Sequence, residues 1–534
     1  MYDVLLKNGM LVLPDDVFAG DLALRGGRIA ALGSGLDGPA AETVDVSGKL
    51  VLPGAIDPHV HMELPVGGTR SCDDFLTGTR AAAAGGVTTI LDFTVGSRET
   101  TMVDDLSARL KAAAPSVIDY GFHAEMVGWT PARLDEMREV AERGVRSFKF
   151  FTAYAASGRR TENGPLFESM KVAAELGAVA SVHAEDESLI QARLALMEDS
   201  EKARMTALGL SRPDLCEASA VHEVVWLADR AGVQVHIMHL SSALGLEEVR
   251  EARRRGTDVT AETCPHYLLL TDEVYGRPDA RFYSASPALR GEADRRALWD
   301  ALAAGDVDFL STDHCPFTCA QKEWKGAFDR LPYGMGSVEL MLPLAYSEGV
   351  LGGHLTLSGL AERTAAAAAR RYGLWPRKGG LLPGADADVA VLDPAAEWTV
   401  SAGTLHSSCD FSPYEGRTIR GRIERTYSRG DALRHRGGTP LLPRPPVGRG
   451  GVPASGGDVP ALFSEGTRPA RGGAPRGDAG GARGRHRGEA GPLRRGGGFE
   501  RPQADRAHDA PLLHGGGPAG GPAERAPRRH GHPR

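Results

Sequence analysis

The sequence predicts an α/β protein: a (β/α)8 TIM barrel with a smaller β-sandwich domain built from both chain ends. Three observations carry this. Eight short apolar runs alternate with amphipathic stretches of helix length between residues 54 and 316, the rhythm of a parallel barrel. Most of the helical stretches end in Gly, the residue that closes a helix C-terminus. Short alternating strands punctuated by Gly and Asp occupy residues 1–53 and return over 379–432, on either side of that region.

The elements follow in order. "MYDVLLKNGMLVLPDD" reads as a strand, a turn at Asn8-Gly9 and a second strand. It lacks the basic region, apolar centre and small-residue cleavage site of a signal peptide. The barrel runs are "GAIDPHVHM", "VTTILDF", "DYGFHAEM", "SFKFFTAY", "VASVHAED", "VQVHIMHL", "DVTAETCPHYLL" and "VDFLSTDHCP". Helical patterns such as "DDFLTGTRAAAAGG", "TPARLDEMREVAERG" and "GPLFESMKVAAELG" separate them. Further helical segments, including "RTAAAAARRYGL", extend the barrel domain over residues 54–378. "GGLLPGADADVAVLDP" then resumes the β-rich pattern, so residues 379–432 complete the β-sandwich begun by 1–53.

From residue 433 the composition changes to Gly, Arg, Pro and Ala, with no Lys, Ile, Tyr, Met, Trp, Asn or Cys to residue 534. Such a segment buries too little apolar surface to offset its ordering entropy and is expected to be a disordered tail. It is open to three readings: a basic tail for polyanions, a tail without a task, or frameshifted sequence. The last has a chemical basis, because Gly, Ala, Arg and Pro share GC-rich codons.

The bulk numbers exclude several classes. The chain has 534 residues, a formal net charge of −7 and a pI near 6.2, so nothing draws it globally to nucleic acid. No stretch reaches the roughly 18 apolar residues of a membrane span. Six scattered cysteines do not make a disulfide framework, and Cys315 with Cys319 is too little for a zinc finger. A cytoplasmic location is the expectation.

Chemistry concentrates at the C-terminal ends of the barrel runs, the face where such barrels carry their active sites. His59 and His61 end the first run, His183 the fifth, His239 the sixth and Asp313 the eighth, while Lys149 lies on the fourth. The two residues of an H-x-H pair on a strand point to one face. Each histidine alone would suit a structural role; ligand types converging from five strand ends point to metal. Lys149 stands among Phe148, Phe150, Phe151 and Tyr154, where an unpaired ammonium costs several kcal/mol, roughly. Either its head reaches solvent or an acid, or its amine takes up carbon dioxide. The resulting carbamate has two oxygens, one for each of two metals.

The motifs "GAIDPHVHMELPVGGTRSCDDFLTGTRAAAAGGVTTILDF", "SFKFFTAYA", "VHAEDESLI", "ETCPHYLLL", "SASPALR" and "STDHCPF" resemble the amidohydrolase superfamily, and within it the dihydropyrimidinases and D-hydantoinases. The likeness spans residues 1 to about 430. It implies two divalent metal ions, usually zinc. His59, His61, carboxylated Lys149 and Asp313 would hold one, and Lys149, His183 and His239 the other. It further implies a small cyclic amide as substrate and a homotetramer, or a dimer should the altered C-terminus block assembly.

The implied reaction is hydrolytic ring opening to an N-carbamoyl amino acid. A metal pair acidifies water to hydroxide, which attacks the ring carbonyl. Asp313 carries the proton to the leaving nitrogen, and the Tyr154 hydroxyl helps stabilise the oxyanion. Ser286 matches the family serine whose backbone meets the substrate. Tyr333 stands where the family often has Asn, at a contact made by backbone. Leu64, Pro65 and Val66 offer an apolar rim or plain loop packing. Glu63 occupies the place of a dihydroorotase arginine and argues against that activity. Allantoinase is the runner-up, since "HLSSALGLEEV" resembles its sixth strand and loop. A catalytically silent scaffold relative is the non-enzyme alternative, against which all six metal-binding residues stand.

Overall fold

The computed structural model describes residues 1–435, so the tail considered above lies outside the described residues. The predicted barrel is the observed one. Its strands are Ala55–Asp57, Val87–Phe93, Asp119–Glu125, Ser147–Phe151, Val179–His183, Gln234–Ile237, Val259–Thr263 and Phe309–Leu310. They pair in chain order, every neighbour parallel. A parallel bridge between Val60 and His314 closes the ring. The His61 N–H donates to the His314 carbonyl at 2.8 Å there. Closure is thus made by the segments that carry His59, His61 and Asp313.

Burial on both faces explains the continuous apolar runs: every residue of Val87–Phe93, Ser147–Phe151 and Val179–His183 is buried. Side-chain caps start the flanking helices. Asp74 and Thr77 form a capping box on Phe75–Ala84, and Thr101 and Ser242 cap Met102–Ala113 and Ala243–Arg254. Gly78 lets the first of these approach the H-x-H segment, because a Cβ there would stand 2.2 Å from the Met62 sulfur. The alanine-rich stretch near residue 366 is helical with one π-type segment, Glu362–Ala366, between α-helical turns.

The smaller domain draws on both chain ends. Strands from residues 2–53 and 389–435 form one eight-stranded sheet, joined where Leu50–Pro53 runs antiparallel to Val389–Leu392. Its core mixes the two ends: Leu6, Leu11, Leu22 and Val51 pack with Val389, Val391 and Tyr427.

Two expectations are corrected. Asn8-Gly9 is not a hairpin turn but a bulge within the single strand Tyr2–Val12, with a register shift between Leu6 and Gly9. Asn8 takes φ +64°, its N–H donates to Asp21 at 2.8 Å, and a Cβ on Gly9 would meet Val51 at 2.8 Å. The last strand, Asp431–His435, runs past the compositional break at 433, because its residues pair with Arg425–Ser428.

Lys378 ties the two regions together. Its ammonium, 1% exposed, lies 2.6 Å from Asp388 and 3.2 Å from Asp386 and also bonds Asp119 at the start of the third barrel strand. Asp119 further accepts from Nε of Arg429 at 2.9 Å. The three carboxylates gather closely enough to hold an ion, but these side-chain cations already occupy the space between them.

Candidate active site

His59, His61 and Asp313 meet at the barrel mouth. The two Nε2 atoms are 3.2 Å apart, and Oδ1 of Asp313 lies 3.2 Å from His59 Nε2 and 3.1 Å from His61 Nε2. His183 and His239 form a second group, Nδ1 to Nε2 at 2.9 Å. The rings of His59 and His239, 5.2 Å apart, link the two groups.

Carboxylates behind the rings orient them. Oε1 of Glu262, on the seventh strand, is 2.5 Å from Nδ1 of His59. Oε2 of Glu185 is 2.9 Å from Nε2 of His183. Each such bond places the ring proton on the nitrogen away from the centre and leaves the other lone pair facing inward.

Burial pushes His59, His183 and His239 below the ordinary imidazole value, which keeps them neutral and able to bind metal. Burial also raises Asp313, but its imidazole neighbours, His59 first and His61 through a hydrogen bond, outweigh it and hold the carboxyl well below its usual range. Two acceptors, neutral His59 Nε2 and ionised Asp313, therefore face each other at 3.2 Å. That arrangement repels unless a cation lies between them, so the donor set fits a metal ion.

Lys149 lies between the groups and is 1% exposed. It does not reach solvent. Nζ is 2.8 Å from the thioether of Met238, a weak acceptor, and sits over the rings of Phe93 and Phe151 at 5.3 and 4.8 Å. Among the described residues no carboxylate pairs with it. Burial pushes its amine down to about 8, against the pull of Asp313, Glu262 and Glu125. A deprotonated fraction at neutral pH is what carboxylation by carbon dioxide needs.

Tyr154 stands beside His183, ring centroids 4.9 Å apart. Its hydroxyl is 2.6 Å from Oγ of Ser286, and burial raises it to about 12, so it is a neutral donor. Tyr333 approaches through its loop: the Gly334 N–H donates to the Ser284 carbonyl at 2.8 Å. Leu64 is half-buried, and the following Pro65–Val66 pairs with Thr69–Arg70 in a small hairpin over the Pro332 loop. Tyr154, His239 and Asp313 all have positive φ, at 70°, 40° and 47°. Backbone strain of about 1–3 kcal/mol each collects where function holds it.

Sequence reasoning missed Glu262, Glu185 and Arg212. The first two lie inside barrel runs, Glu185 two residues after His183 and just past the end of its strand, which is a usable signal. Arg212, 2.5 Å from Glu185, lies in the connection to the helix Asp214–Ala231 and carries no such mark.

Comparison with known proteins agrees with this geometry. A model of the amidohydrolase family matches residues 50–432. The chain belongs to the amidohydrolase family, on its dihydropyrimidinase–hydantoinase branch. This amidohydrolase is 40% identical over 444 residues to a D-hydantoinase of Streptomyces coelicolor, covering 80% of this chain and 93% of that one. It is 38% identical over 436 residues to a D-phenylhydantoinase of Escherichia coli O1:K1, covering 80% and 94%. The solved D-hydantoinase of Bacillus sp. AR9 superposes with a TM-score of 0.80 at 34% identity, covering 82% of this amidohydrolase and 97% of that chain.

Proposed function

We propose that this protein is a metal-dependent cyclic amidohydrolase that opens dihydropyrimidines or 5-substituted hydantoins to N-carbamoyl amino acids. One observation carries the reading: two histidine clusters and Asp313 converge around a buried lysine that no described carboxylate pairs, with the Tyr154–Ser286 pair beside them. His59, His61, Asp313 and Lys149 would hold one divalent ion, and Lys149, His183 and His239 a second. Zinc suits these nitrogen and oxygen donors. When bound, such ions acidify water and polarise a carbonyl oxygen.

The chain's own residues supply the rest. Lys149, carboxylated at Nζ, exchanges a buried ammonium for an anion with two donor oxygens. Asp313 takes a proton from water and returns it to the ring nitrogen as the C–N bond breaks. Tyr154 donates its hydroxyl to the carbonyl oxygen as charge builds there. Backbone at Ser286 and Tyr333 holds the amide edge, and Leu64 borders the substituent at C5.

Exposed Leu196, Leu210, Leu215, Trp226 and Leu244 lie on helices Glu187–Leu196, Thr206–Ser211, Asp214–Ala231 and Ala243–Arg254, which neighbour one another. These exposed apolar side chains support assembly, and we assign a homotetramer. Six free cysteines support a cytoplasmic location.

The test is kcat/KM of metal-reconstituted protein on dihydrouracil, phenylhydantoin, allantoin and dihydroorotate. Dihydrouracil or phenylhydantoin should lead. Allantoin ahead by tenfold, about 1.4 kcal/mol of transition-state preference, would give the site to allantoin instead.

A further inference from the structure

The Glu185 carboxylate is fully buried, and three donors converge on its Oε2. Nε2 of His183 lies at 2.9 Å, Nη1 of Arg212 at 2.5 Å and Oγ of Ser286 at 3.1 Å. An ionised carboxylate only accepts hydrogen bonds. Ser286 therefore directs its hydroxyl proton to Glu185. Its lone pair is left to accept the Tyr154 proton at 2.6 Å. The direction of the chain is thereby set, from Tyr154 to Ser286 to Glu185.

Arg212 meets this chain twice. Its Nη1 donates to the same Oε2 of Glu185 that Ser286 bonds, and its guanidinium carbon lies 5.5 Å from the centroid of the Tyr154 ring. Its backbone is itself held: the Arg212 carbonyl accepts from Nη1 of Arg290, and Pro213 follows before the helix Asp214–Ala231. A lysine could neutralise Glu185. It could not donate to that oxygen and at the same time lay a flat, delocalised cation against the phenol ring.

We propose that Arg212 is a positioning residue for ring opening: acting through Glu185 and Ser286, it fixes where the Tyr154 hydroxyl stands and which way its proton points. This rests on the reading of Tyr154 as donor to the carbonyl oxygen. Charge growing on that oxygen must draw the Tyr154 proton away from Ser286, and the Glu185 hub sets how readily it yields.

The test is a double-mutant cycle of wild type, Arg212→Lys, Tyr154→Phe and the double variant, assayed on dihydrouracil. Metal content and cooperative unfolding are measured on each protein. Arg212→Lys should lower kcat about 10- to 100-fold with KM within about threefold, the signature of an interaction made in the transition state. In the Tyr154→Phe background the same change should cost less than about threefold, because the hydroxyl it positions is gone. A merely structural role gives equal losses in both backgrounds, and that result overturns the inference alone. A Tyr154→Phe enzyme with wild-type kcat overturns the donor role of Tyr154, and the inference with it. Should Arg212→Lys not fold, the paired change Arg212→Met with Glu185→Gln removes both charges together. It should show the same dependence on Tyr154, and equal losses there also overturn the inference.

Discussion

Glu262 and His59 come from opposite ends of the barrel sequence, yet Oε1 of one lies 2.5 Å from Nδ1 of the other. Oε2 of the same carboxylate is 3.2 Å from Nε2 of His236. Burial would raise Glu262, but the electrostatic pull and N–H bond of His59 and the bond to His236 hold it well below the carboxylate range. One anion thus fixes the orientation of the His59 ring from behind.

Glu262→Gln should keep the shape and lose the charge. The amide could then turn its NH2 toward His59 and compete for the ring tautomer. Metal affinity should fall about 10- to 100-fold, the usual scale for losing such a backing carboxylate. Competition with a chelator of known affinity measures it. Wild-type affinity would mean the Glu262 bond does not govern the ring.

Lys149→Ala should abolish both metal binding and activity. Short carboxylic acids, added in millimolar amounts, should restore part of each by occupying the space left beside Met238. Lys149→Arg should not be rescued, because guanidinium stays charged and forms no carbamate. Elemental analysis alongside turnover separates the outcomes, and an active Lys149→Arg protein would remove the need for a bridging anion.

Much of the candidate site was legible because its side chains fall at strand ends. His59, His61, His183, His239 and Asp313 each lie at or just past the end of an apolar run, and parallel barrel strands bring all those ends to one mouth. Arg212 was not legible. It arrives after the excursion through helices Glu187–Leu196, Asp199–Lys202 and Thr206–Ser211, where nothing local marks a residue that turns inward. Glu262 was hidden for another reason: a buried glutamate has meaning only through partners on other strands. Asn8-Gly9 misled because the left-handed conformation that makes a hairpin turn also makes a bulge.

Lys378 is the point at which charge holds the fold. Burial pushes its amine down, and Asp388, Asp119 and Asp386 more than reverse that, leaving it raised. Its contribution is therefore complete below the unfolded lysine value and is lost only as pH rises through the higher folded one. Asp386 behaves oppositely. Burial raises it, but Lys378 and Arg377 bring it below the ordinary value. Its contribution is complete above the unfolded carboxylate value and is lost as pH falls through the lower folded one. Lys378→Met should cost about 3–5 kcal/mol by leaving the buried Asp388 carboxylate without its cation. Urea unfolding at pH 7 gives the size, and a loss under 1 kcal/mol, roughly, would return the cluster to the rank of a surface ion pair.

Glu63 bears on substrate choice. It stands two residues after His61, is half-buried, and is held at φ +49° with its N–H bonded to the Asp73 carbonyl at 2.9 Å. The backbone there is fixed beside the segment that carries His59 and His61. A carboxylate fixed near the site raises the energy of any substrate bearing a carboxylate, and leaves a neutral ring unaffected. Glu63→Gln should therefore raise kcat/KM for dihydroorotate about three- to tenfold, the scale of one partly screened charge pair. The value for dihydrouracil should stay within about twofold, since uncharged substrate feels no such repulsion. Both are read in the same assay across ionic strength. The gain on dihydroorotate should shrink as salt rises; a gain that ignores salt would point to altered loop packing rather than charge.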